Sequence, residues 1–363
     1  MNGPVLWCLM AAVLFGASTP ASKVLLDGQV GPMVLAGLLY LGAGLATLPW
    51  ARSGGSALRR RHPANVRRLV GAVIFGGVLG PVLIMLGLSM APSASVSLWL
   101  NLETTATAIL AWTFFRENLG WRAWTANGLV VVAGVLLASP SGFAVAPAAL
   151  LVLLACVCWG LDNNLTAIID GFTPTQITCA KGLGAGGVSL LLGLGCGETL
   201  PSPTVALAAG AIGALGYGAS IILYIRGAQN LGATRSQMLF STAPFLGVLF
   251  AWMALGEPIQ AVQIGACVLM MGALAVLLTD HHAHAHHHPR VVHTHGHNHT
   301  DEHHDHHHEG LPPEAWHTHE HAHEPLTHHH PHLPDIHHRH VHTATEMPAI
   351  SHHETEKQDI YRP

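Results

Sequence analysis

The sequence predicts an all-α integral membrane protein: ten transmembrane helices in two inverted five-helix repeats, followed by a disordered C-terminal tail. Three observations predict it. Runs of about 20 apolar residues, each able to cross a ~30 Å hydrocarbon core as a helix, recur along the first 279 residues. The stretch Gly87 to Leu119 has a second copy, Gly227 to Ile259, 140 residues later. Charge and histidine are concentrated beyond residue 279.

Half the residues are apolar and a tenth are charged, too few charges to wet the surface of a water-soluble chain of 363 residues. Thirteen of the 20 acidic residues and 29 of the 30 histidines lie from Asp280 onward. The body carries 12 Lys/Arg against seven Asp/Glu, the tail four against 13. Two physically different segments therefore join near Thr279.

The apolar runs fall at 4–26, 30–50, 68–90, 92–115, 121–139, 145–169, 173–196, 203–225, 231–254 and 258–279. The first lacks a basic leader and is too long for a signal peptide, so it counts as a span. Gly and Pro are frequent inside the runs, which lipid-embedded helices tolerate. Patterns such as Gly76-x-x-x-Gly80 and Gly210-x-x-Gly213-x-x-Gly216-x-Gly218 let backbones approach closely. The six cysteines sit in or beside apolar spans without a CxxC and read as packing residues.

The repeat sets the domains at 1–140 and 141–279, with the tail at 280–363. Gly87, Ala111-Trp112 and Glu117 fall on Gly227, Ala251-Trp252 and Glu257. Pro32 and Leu41-Gly42-Ala43-Gly44 recur as Pro174 and Leu183-Gly184-Ala185-Gly186, and Phe15-Gly16 recurs as Trp159-Gly160. Matches in one order at slowly drifting offsets indicate duplication. Five spans per half, an odd number, turn the copies upside down relative to each other. Arginine in loops agrees: Arg52, Arg59, Arg60, Arg61, Arg67, Arg68, Arg116, Arg122, Arg226 and Arg235 all fall on one side. By the positive-inside rule both termini are cytoplasmic.

Ten spans in two halves, the first helix LFGASTPASKVLL from Leu14 to Leu26, and a fourth helix ending AWTFFRENLGWRAW from Ala111 to Trp124, echoed by AWMALGEPI, resemble the drug/metabolite transporter superfamily, specifically its EamA family. Arg116-Glu117 and Gly256-Glu257 stand where that family ends the fourth helix of each half. Its mid-helix proline is matched by Pro244 in the second half, whereas Thr104 stands in the first. The resemblance implies secondary transport, usually outward, of amino acids, drugs or other metabolites.

Charges inside spans are functional candidates because lipid makes them expensive. Lys23, Glu103, Asp162 and Lys181 qualify, and Asn101, Thr104 and Asn163 accompany them; together they form the expected substrate and coupling-ion site. The expected pairs are Lys23 with Glu103 and Asp162 with Lys181, either carboxylate being able to face either ammonium. Lys23, three residues from its span's end, is alternatively a residue that snorkels to the interface. Glu103 is the candidate proton-exchanging group, and Glu117 and Glu257 read as caps or interface anchors. Tyr217 and Tyr224 read as packing or interfacial residues.

The tail places histidines one and two residues apart: His286 and His288, then His293, His295, His297 and His299, then His317, His319, His321 and His323. With prolines, acids and hardly any apolar clusters it buries no core and is expected to be disordered. Neutral imidazoles at this spacing suit Zn, Ni, Co or Cu ions in several equivalent sites. A solubilising or buffering tail is the alternative.

Together these features point to a multi-pass inner-membrane transporter, an exporter of small metabolites, drugs or metal-chelator complexes with a metal-buffering or metal-sensing tail. A divalent metal exporter and a non-transporting membrane metal receptor are the alternatives. No enzyme signature and no nucleotide-binding motif occur, so energy comes from an ion gradient or the solute's own gradient. Expected partners are the bilayer, a small-molecule solute, divalent metal ions and, as an option, a second copy of the chain; no nucleic acid is expected. No cofactor is required beyond the tail metal.

Overall fold

A computed structural model of the chain describes residues 3–53, 63–115, 121–138, 146–167, 169, 172–231 and 239–278 of the body, and 282–288, 291–297, 317–323 and 326–332 of the tail. Within the body the elements are helical: α1 (Gly3–Asp27), α2 (Pro32–Ser53), α3 (Pro63–Ala72), α4 (Gly80–Met90), α5 (Ser93–Trp99), α6 (Leu102–Phe115) and α7 (Trp121–Ala138) in the first half. The second half supplies α8 (Pro147–Ala167), α9 (Pro174–Gly195), α10 (Pro203–Gly213), α11 (Ser220–Leu231), α12 (Ala243–Ala254) and α13 (Ala261–Leu278). Five of these helices begin on a proline, whose fixed φ suits a first turn and whose missing N–H has no partner there to lose.

Among the described residues, seven stretches are long and apolar enough to cross a membrane: Gly3–Asp27, Pro32–Ala51, Pro63–Met90, Trp121–Ala138, Pro147–Thr166, Pro174–Gly195 and Pro203–Tyr224. Two shorter apolar helices, Ala243–Ala254 and Ala261–Val276, follow. The run expected as one span at 92–115 is divided into α5 and α6 around Leu100 and Asn101.

Burial is organised inside out. Phe114, Trp121, Leu191, Leu207 and Met253 are exposed apolar residues on the perimeter, as hydrocarbon requires, while Ser22, Ser93, Ser97, Asp162, Asn164, Ser189, Ser220 and Gln263 are buried. Leu35, Leu39, Ile84, Met85, Leu88 and Leu98 fill the centre between them.

The halves interlock by exchanging the same contacts. α1 packs on α11 and α12 of the second half, and its counterpart α8 packs on α4 and α6 of the first. α2 and α9, themselves counterparts, form the most extensive pairing. Glycine makes that approach close: a Cβ on Gly44 would stand 2.6 Å from the Leu183 nitrogen, and one on Gly186 would stand 2.6 Å from the Leu41 nitrogen. These are the residues of the repeated Leu-Gly-Ala-Gly motif, so the repeat marks the seam between halves.

Two π-helical segments interrupt the long third spans at matching places, Val73–Leu79 between α3 and α4 and Ala214–Ala219 between α10 and α11. Such insertions are frequent at functional sites, because an extra residue displaces carbonyls from the helical ladder.

Two carboxylates of the second half cap helices of the first. Gly197 and Gly256 adopt φ of +89° and +64°, conformations that glycine accepts and that end α9 and α12. Each hands the chain to a glutamate. Glu198 accepts from the amides of Met33 (3.2 Å) and Val34 (2.7 Å) at the start of α2. Glu257 accepts from the Ser93 amide (2.8 Å), the Ser93 hydroxyl (2.6 Å) and the Ala94 amide (3.0 Å) at the start of α5. The cap expected of Glu257 is therefore present, and the Gln263 side chain adds a bond to Ser95 Oγ at the same end (3.1 Å). Glu117 lies outside the described residues.

In the tail, β1 (His282–His288) pairs antiparallel with β4 (Leu326–His332), and β2 (Val291–His297) with β3 (His317–His323).

Candidate functional site

The site is assembled where α6 of the first half meets α8 of the second, with Lys181 reaching in from α9. Asp162 on α8, 4 % exposed, is bonded to Lys181 on α9 and accepts from Thr166 Oγ1 one turn along its own helix (3.1 Å). The expected Asp162 and Lys181 pair is therefore made. The next residue, Asn163, donates from Nδ2 to Glu103 Oε1 (2.8 Å) and to Thr107 Oγ1 (3.3 Å), both on α6. One turn of α8 thus presents two polar side chains in different directions, one to each half of the molecule.

The backbones come close to permit this. A Cβ on Gly160 would lie 2.9 Å from the Thr107 nitrogen, so α8 and α6 meet nearly main chain to main chain, and Asn164 ties them with a bond from Nδ2 to Thr107 O (3.2 Å). On the other side of Asp162 the π segment turns Gly76 toward its carboxylate, where any Cβ would collide. The Gly76 carbonyl accepts from Tyr40 Oη (2.8 Å) and Trp159 Nε1 (3.0 Å), which binds α2, the π segment and α8 into one unit.

An aromatic row leads away from this unit. Tyr40 and Tyr217 have ring centroids 5.5 Å apart, Tyr217 and Phe15 5.8 Å, Phe15 and Phe240 5.4 Å, Phe240 and Tyr224 5.0 Å. Tyr217 is buried, Phe15, Tyr224 and Phe240 are half-buried, and Asn163 is exposed although it sits in a span.

Not every expected residue joins. Lys23 Nζ bonds Leu88 O (3.0 Å) and Asp27 (3.3 Å) where α1 ends, so the expected Lys23 and Glu103 pair is not formed. An acid one helical turn away and a nearby carbonyl satisfy the ammonium locally. Asn101 donates to Leu98 O (3.0 Å) and shapes the break between α5 and α6, while Thr104 lies half-buried beyond it. Sequence reading missed Tyr40, Thr107, Trp159 and the Gly76 carbonyl. The readable signal was that Trp159 repeats the aromatic position of Phe15.

Among the described side chains no three His, Cys, Asp or Glu converge as a metal site. Cys8, Cys156 and Cys179 are buried, free thiols, in keeping with a packing role. The histidines expected to ligate metal fall on strand backbones, except His299, which lies outside the described residues.

A sequence profile of the EamA-like transporter family matches residues 2–139 and again 146–279. An uncharacterized transporter of Methanothermobacter thermautotrophicus is 24 % identical over 290 residues, covering 74 % of this chain and 84 % of that one. A protein solved by crystallography shares the fold with a TM-score of 0.58 at 22 % identity, over 77 % of this chain and 97 % of its own. A helical bundle with an apolar perimeter, a polar interior where its halves meet, and that profile matched twice is a multi-pass membrane transporter rather than an enzyme: the chain belongs to the EamA-like transporter family.

Proposed function

We propose that this protein is a secondary-active exporter of the inner membrane that moves a small organic solute, free or as a metal-chelator complex, through a site built on Glu103, Asn163, Asp162 and Lys181. Lys23, Asn101 and Thr104 serve the same path at its margins. The carrying observation is the bond from Asn163 to Glu103, a polar contact between the two halves at an exposed point inside spans. Carriers built from paired repeats place substrate and coupling ion where the repeats meet. The positive-inside count supports cytoplasmic termini.

Glu103 exchanges the coupling proton in this reading. Purified protein in liposomes should move solute when a pH gradient is imposed, and Glu103→Gln should abolish gradient-driven flux while leaving the fold intact. Undiminished flux in that variant removes the role.

The tail binds divalent transition metals and reports or buffers their level. Support comes from strand register: His293 faces His321, His295 faces His319, and His297 faces His317 across β2 and β3. Alternate positions of a strand share a face, so three facing histidine pairs fall on one side of the ribbon. Removing residues 280–363 should leave flux intact and abolish most Zn or Ni uptake by the purified chain. Metal held at pH 7.5 should be released as pH falls below about 6.5, where imidazole protonates. Retention at pH 5 argues against imidazole ligands.

A further inference from the structure

We infer that the solute is an organic cation: a protonated or quaternary amine carried on an aromatic or apolar body. This rests on the transport reading and specifies its substrate.

The charge balance of the site leads there. Among the described residues it holds two carboxylates and one ammonium, and Lys181 is taken by Asp162. Glu103 has a neutral partner, Asn163, and among the described residues no Lys, Arg or His nitrogen lies within ion-pair distance of it. An unpaired carboxylate inside a membrane bundle is costly, and a cationic ligand supplies the missing counter-charge. An anion meets the opposite situation, since the cation that the described residues bring to the site, Lys181, is already neutralised. A zwitterion such as an amino acid would leave its carboxylate without a receiver. A bare divalent ion lacks a converging ligand set among the described side chains.

The aromatic row describes the rest of the molecule to be carried. Ring faces attract cations and accept apolar bodies, and Phe15, Tyr217 and Phe240 continue from Tyr40, which shares the Gly76 carbonyl with the residue three before Asp162. Asn163 is exposed and Glu103 only half-buried, so the carboxylate is reachable. Charge at one end and rings along the path specify an amphipathic amine.

The test uses the full-length protein in liposomes, with protein-free liposomes as blank, and three probes of one shape: phenethyltrimethylammonium, phenylalanine and 3-phenylpropionate. The expected result is uptake of the cation at least tenfold above the other two, reduced to the blank by Glu103→Gln and partly retained by Glu103→Asp. The ordering of probes in the unaltered chain keeps the test independent of how the Gln variant folds. Preferential uptake of the zwitterion or the anion overturns the cation inference and leaves the transport reading standing. If no probe moves, liposomes loaded with a cytosolic metabolite extract decide. Mass-spectrometric loss of amines supports the inference, loss of other solutes overturns it alone, and no loss removes the transport reading with it.

Discussion

Duplication gave this protein two versions of one pocket, and only one of them is charged. In the version on α6 and α8, Trp159, Gly160, Asp162 and Asn163 face Gly76, Glu103 and Thr107. At the matching positions of the other version stand Phe15, Gly16, Ser18 and Thr19, opposite Gly216, Ala243 and Gly247. Backbone relations are kept: Gly216 approaches Ser18 as Gly76 approaches Asp162, and Gly16 approaches Gly247 as Gly160 approaches Thr107. The chemistry is not kept. Ser18 Oγ turns back to Phe15 O (2.6 Å), and the Phe15 ring has no N–H to offer a π-segment carbonyl. A small gap there, between Phe15, Thr19, Ser97 and Pro244, leaves the buried Ser97 Oγ without a partner among the described residues. Helix geometry thus survived divergence while the ionisable groups collected on one side, as expected of a bundle that needs a single asymmetric site.

Breaking the charged version should cost far more than disturbing the neutral one. Lys181→Met strands the buried Asp162 carboxylate and should destabilise the protein by about 3–5 kcal/mol, read as denaturant or thermal unfolding in detergent. Adding Asp162→Asn should recover most of that loss. If the single variant is as stable as the parent, the pair is not buried as described. Gly76→Ala drives a methyl into the Asp162 carboxylate and should cost about 1–3 kcal/mol. Gly216→Ala meets Ser18 Cβ at 2.7 Å and should cost less, since a serine can shift where an ion pair cannot. Equal losses would erase the distinction between the pockets. The mildest change, Trp159→Phe, makes one pocket resemble its twin by removing a donor to the Gly76 carbonyl, which keeps Tyr40; about 1 kcal/mol should be lost.

How far the sequence disclosed this site depends on distance along the chain. Asp162 and Lys181 lie on consecutive helices either side of a short connection, five residues before the end of α8 and seven after the start of α9, so the reversal of chain direction between the two helices brings them level. Lys23 and Glu103 shared no such connection, and the i,i+4 acid Asp27 was the nearer claim on the lysine. Glu103 finding Asn163 required knowing that α6 lies against α8, a contact across 60 residues that no local pattern carries. The π segments were equally hidden, because glycine-rich spans look alike whether or not a residue is inserted. Crossing helices, by contrast, were plain: apolar length and proline starts are local properties, and lipid enforces them.

The two Gly-Glu turns impose an order on how this molecule is made. Residues 198 and 257 emerge from the ribosome well after the helix starts at 32 and 93 that they serve. Until then those starts lack their carboxylate caps, so the first half stands in the bilayer unfinished, and a product truncated near residue 140 should be less stable than the same half within the full chain.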